Sequence, residues 1–153
     1  MTTVERVHDD GLRVGPALAA TAATGAVALG IGALIRWDEA RRNTQDEHLS
    51  SDLVALVVFA SVGLLVVGLL DVWAVRGGER RVRHLTVGLA VAALLTLPLL
   101  WWNAVPMMAA TSVLALSGQL GRETVPPAAR LTAVLVLAVV VALWIGSTLA
   151  PHL

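Results

Sequence analysis

The stretch from Leu85 to Gly121 holds 37 residues without a single charge. A helix needs about 20 apolar residues to cross a hydrocarbon core of ~30 Å, because it rises ~1.5 Å per residue. As one rod, this stretch would run about 55 Å. Typical tilts of about 20° do not absorb that excess, so the stretch must do more than cross once. Two readings compete. In the first it is a helical hairpin, with one leg near 83–102, a turn at 103–105 and a return near 106–121. In the second it is one span followed by an interfacial or re-entrant helix at 106–120.

The turn chemistry favours the hairpin. Asn103 tolerates the left-handed conformation that ends helices. Pro106 fits a helix start, where its missing N–H has no intrahelical partner to lose. Trp101 and Trp102 read as interfacial anchors. Pro98 lies inside the first leg and removes one backbone hydrogen bond, which predicts a kink there, or a hinge. Pro98, Asn103 and Pro106 are therefore the candidate turn and hinge residues.

The rest of the chain follows the same pattern. Charged residues are 14% and hydrophobic ones 57%, against about 25% and 45–50% in an average soluble domain. The charges cluster between apolar runs, as in an integral membrane protein. The expected spans are about 14–35, 53–75, 83–102, 106–121 and 129–150, in a single all-α domain covering 1–153. Four spans plus a helix lying in the interface is the alternative. Residues 1–13 read as a cytoplasmic tail rather than a cleaved signal.

The expected helix contacts come from small-residue stripes. Ala22, Ala26 and Gly30 recur at every fourth position in the first span, as do Ala138, Ala142 and Gly146 in the last. Small residues let helices approach closely in lipid, where hydrophobicity alone does not drive association. The sequence thus predicts that the first and last spans pack on each other. A second stripe, Thr24, Ala28 and Gly32, lies on another face of the first span.

Polar segments set orientation. Residues 76–84 hold Arg76, Arg80, Arg81 and Arg83, with Gly77-Gly78 as a turn. Basic loops stay on the cytoplasmic side and attract anionic lipid. With that loop inside, five spans place eight arginines inside and three outside, whereas four spans place six inside and five outside. The count favours five, with the amino terminus inside and the carboxyl terminus outside. Asp71 is the one acid near membrane depth, where a carboxylate is a functional hypothesis by default. The arginines after it predict an interfacial ion pair or a lipid contact. All eleven basic residues are Arg. With the heavy Ala, Val, Leu and Gly usage, that points to a GC-rich coding sequence and a bacterial cytoplasmic membrane.

The available chemistry is sparse. Without cysteine there is no disulfide, thiolate nucleophile or thiolate metal site. A net charge of zero gives no global field for nucleic acid. Asp46, Glu47, His48 and Asp52 read as a solvated face rather than a metal cluster. The four histidines lie in polar segments or at span ends, which speaks against haem. No cofactor and no enzymatic activity are expected. The leading expectation is an interaction, accessory or assembly subunit, binding the bilayer and a membrane-protein partner or a second copy. The alternative is a small transporter or channel component with a path near Thr111, Ser112 and Gln119.

Overall fold

The computed structural model describes residues 14–42, 49–100, 103–120 and 125–149. It is all-helical, with α1 (Val14–Arg42), α2 (Leu49–Arg76), α3 (Glu79–Leu100), α4 (Val105–Leu120) and α5 (Pro127–Leu149). Among the described residues, α1, α2 and α5 are long and apolar enough to cross a membrane. In their most apolar windows only 22–28% of residues are buried. Their outward faces are thus apolar, and α2 alone exposes Val54, Phe59, Val62, Leu65 and Leu69. Such a surface is consistent with a lipid surrounding. The expected tail at 1–13 and the Trp101–Trp102 anchors lie outside the described residues.

α1 and α2 extend beyond their apolar runs into the polar segment between them. There Arg36 and Asp52 form an ion pair at 3.6 Å across the two helices. Both side chains are partly exposed, so the pair contributes at most about 1 kcal/mol. Leu18 rests on Gly68, and Gly32 on Leu56, so α1 and α2 run antiparallel. α5 begins as its sequence requires. Pro127 occupies the first turn, where no donor is needed, and the Pro126 carbonyl accepts from the amides of Ala129 and Arg130 at 3.0 and 3.4 Å.

The turn between α2 and α3 depends on glycine. Gly77 and Gly78 donate back to the carbonyls of Ala74 and Val75 at 3.0 and 3.2 Å. Gly78 has φ +82°, a region that costs a residue with a Cβ about 1–2 kcal/mol. Gly78→Ala should therefore destabilise the protein by about that amount. Denaturant titration in mixed micelles measures it, and an unchanged midpoint would remove the turn's strain from the account.

α4 is the element the others enclose. It shares its largest interface with α3 and packs against α1, α2 and α5 as well. Ala104, Pro106, Met107, Met108, Ala109, Ala110, Ser112, Val113 and Leu116 are all buried, so burial runs round the whole helix. α4 is thus largely enclosed by the other four helices rather than laid on their surface. α3 and α4 meet through Asn103 and Ala104 as a helical hairpin.

The turn works differently from the expected left-handed stop. Among the described residues no non-glycine has positive φ. Instead, Asn103 is fully buried, its amide donates to the Leu100 carbonyl at 2.9 Å, and its Oδ1 accepts from the Val105 amide at 3.2 Å. This is an Asx turn, in which the side chain imitates a backbone carbonyl. The Ala104 carbonyl then accepts the first helical bond of α4, from Met108, at 2.9 Å. Pro106 follows in the first turn. Pro98 sits within α3 on its exposed face.

The position of α4 also changes which faces pack. Ala22, Ala26, Gly30, Ala138, Ala142 and Gly146 are all exposed. A Cβ built on Gly30 or Gly146 meets nothing within 4 Å. The packed stripe of α1 is Ala17, Thr21, Gly25, Ala28 and Gly32, and that of α5 is Ala129, Ala133, Val136, Val140 and Trp144. The predicted contact between α1 and α5 is replaced by an apolar cleft of about 230 Å³ lined by Val27, Ile31, Met107, Val141, Trp144 and Ile145. The cause is steric: α4 is wedged between the two helices, and Met107 forms part of the cleft wall.

Candidate functional site: a buried polar centre against α4

Met108 fixes the site. It is fully buried, and its thioether lies between two glycines on different helices. A Cβ built on Gly25 of α1 would stand 2.9 Å from Met108 Sδ, and one on Gly63 of α2 would stand 2.9 Å from Met108 Cε. Both glycines are therefore notches for one side chain. The flexibility of Met suits it to such an irregular gap.

One turn beyond Met108 on the same face is Ser112. Its hydroxyl donates to Asp71 Oδ1 of α2 at 2.6 Å, and both residues are fully buried. This differs from the expected ion pair with the basic loop. Arg76, Arg80, Arg81 and Arg83 are all exposed at the end of α2 and the start of α3. Arg81 lies over the Trp73 ring at 5.0 Å, a cation–π contact. Asp71 instead falls on the inward stripe of α2, with Val67, Gly68 and Ala74, because three- and four-residue steps keep it on that face.

Among the described residues, two buried side-chain oxygens have no hydrogen-bond partner: Asp71 Oδ2 and Thr21 Oγ1. Thr21 is fully buried on α1. Several other helical hydroxyls have partners. Thr24 and Thr111 bond each other at 3.1 Å across α1 and α4. Thr86, Thr96, Ser117 and Ser147 each donate to a carbonyl three or four residues back. Of the residues expected along a path, Thr111 and Ser112 thus bond to neighbouring helices, while Gln119 is half-buried near the end of α4. Among the described residues there is no group of three or more His, Cys, Asp or Glu that would hold a metal.

Sequence reasoning missed Thr21 as a site residue and Gly25 and Gly63 as contact points. Thr21 carried no signal beyond being one hydroxyl among many. In chemical terms, the arrangement offers oxygen ligands and one carboxylate bonded to a serine hydroxyl. It can bind and it can lock helices together. No family model, curated protein or solved structure matches this chain.

Proposed function

We propose that this protein is a small integral membrane subunit of a bacterial cytoplasmic membrane, acting by interaction with a membrane partner rather than by catalysis. In this reading α3 and α4 are full traverses, giving five spans, with the amino terminus inside. α4, at about 24 Å, is shorter than a ~30 Å core. Its enclosure by four helices supports a traverse, because the surrounding helices rather than lipid meet its ends. The single observation that carries the interaction reading is the filling of the interior. Ala93, Ala109, Ala110, Met108, Val113 and Leu116 close around the centre, and the outer faces are apolar. The exposed arginines of the turn between α2 and α3 support contact with anionic lipid.

The test is site-specific photocrosslinking in native membranes, with the probe placed in turn at Leu65, Leu95 and Leu135, all outward-facing. The reading expects one face to give a discrete adduct with another polypeptide or a second copy. Lipid adducts alone on all three faces would reject it. A second reading is a small transport component with its path near Thr111, Ser112 and Gln119. What favours it is the carboxyl of Asp71, enclosed at depth beside those residues.

A further inference from the structure

The buried polar centre has more acceptors than its own hydrogen bonds use. Helix register shows how it is assembled. On α1 and α4, Gly25 meets Met108 and Thr24 meets Thr111, so the two helices run antiparallel at this level. Thr21 is one turn before Gly25 on the buried stripe of α1, and Ser112 is one turn after Met108 on α4. Both steps go the same way along the bundle. Thr21 therefore lies on the stripe facing Ser112, and Ser112 holds Asp71. By the register through α4, three side chains from three helices come near one level, and each is 0% exposed.

We propose that Asp71, Ser112 and Thr21 form a binding site for a small hard monovalent cation, a proton or a sodium ion. The donor set supports this. It is oxygen only, which suits hard cations and not soft metals. It carries one carboxylate, so one positive charge balances it, whereas divalent ions are usually held by more. The two unpartnered oxygens, Asp71 Oδ2 and Thr21 Oγ1, are the atoms such an ion would bridge. Among the described residues no cation bonds Asp71, and Arg130 of α5 is half-buried with its Nε unpartnered. α1 has no ionisable residue from Val14 to Ile35, and α4 has none from Val105 to Leu120. The charged or titratable groups nearest on the other elements are Arg76 at the end of α2, Glu79, Arg80, Arg81, Arg83 and His84 on α3, and Arg130 on α5. Those from 76 to 84 are exposed. The site goes beyond both readings above, since an ion can brace an accessory subunit as well as pass through a transporter.

The test is carbodiimide labelling of the full chain in liposomes, quantified at Asp71 by mass spectrometry. The probes are protons and sodium chloride, with choline chloride holding ionic strength constant. Asp71→Asn is the blank, and Glu79 is an exposed internal control. The proposal expects Asp71 to label. If sodium slows labelling several-fold at fixed pH, the ligand is sodium. If sodium does nothing, the ligand is the proton. In either case Thr21→Val must matter: it weakens sodium protection several-fold or moves the pH midpoint of labelling, and Thr21→Ser restores the native behaviour. A purely structural lock predicts otherwise. Labelling of Glu79 but not Asp71 across the acid to neutral range overturns the site, as does Thr21→Val labelling identically to the native chain under every condition.

Discussion

Gly63→Leu should break the bundle, and Gly30→Leu should leave it intact. The two substitutions add the same side chain to glycines of two membrane-type helices, yet the surroundings differ completely. At Gly63 even a Cβ would stand 2.9 Å from Met108 Cε and 2.9 Å from Val105 Cγ2. Met108 can swing aside, but Val105 is β-branched, stiff at χ1, and belongs to the first turn of α4. α2 and α4 must therefore separate. Overpacking of this kind costs about 1–3 kcal/mol, and a full Leu side chain belongs at or above the top of that range. At Gly30 the added atoms enter open space at the bundle surface. Gly25→Leu should fall between them, because the atoms it would meet belong to the flexible side chain of Met108. Unfolding midpoints in mixed micelles rank the three variants. Equal losses at Gly30 and Gly63 would contradict the position assigned to α4.

Ser112→Ala should be the next most damaging change. The hydroxyl gives Asp71 its one side-chain hydrogen bond, at 2.6 Å in a fully buried site. Losing it leaves a buried carboxyl with no donor, which costs about 1–3 kcal/mol and more if the group is charged. The same logic predicts partial recovery in the double variant. With Asp71→Leu added to Ser112→Ala, no polar group is left stranded, and an apolar pair of similar volume can pack in its place. The double variant should thus be more stable than Ser112→Ala alone. A double variant that loses the sum of both single losses would show that the pair is not a unit.

Much of the helical layout was legible from the chain. Charge-free runs bounded by Arg or Asp mark membrane-type helices because lipid tolerates few charges, and α1, α2 and α5 fall on those runs. Gly77-Gly78 and Asn103 were readable as turns, since each satisfies backbone groups in a way few residues can. Asn103 does so through its side chain, which sequence alone does not distinguish from a left-handed stop.

The packing was not legible in the same way. α1 has small residues on more than one face, so Ala22-Ala26-Gly30 and Gly25-Ala28-Gly32 are equivalent by composition. Only the location of α4 decides between them, and that is a long-range fact. The partner of Asp71 was hidden for a related reason. Four arginines follow it within twelve positions, whereas Ser112 is 41 residues away. Nearness in the chain favoured the arginines, but the angular position of Asp71 on α2 carries it away from them.

In the proposed topology α3 and α4 run out and back across the membrane, with α4 enclosed by the other helices. Cysteine-scanning topology tests this most directly, since the native chain has no cysteine to interfere. Single cysteines at Glu79 and at Ala128 are both exposed and flank the hairpin. In sealed vesicles of known orientation, a membrane-impermeant maleimide should reach both from the same side, the side that corresponds to the cytoplasm. Reaction of the two positions from opposite sides would mean that 79–128 crosses only once, and the hairpin would be rejected.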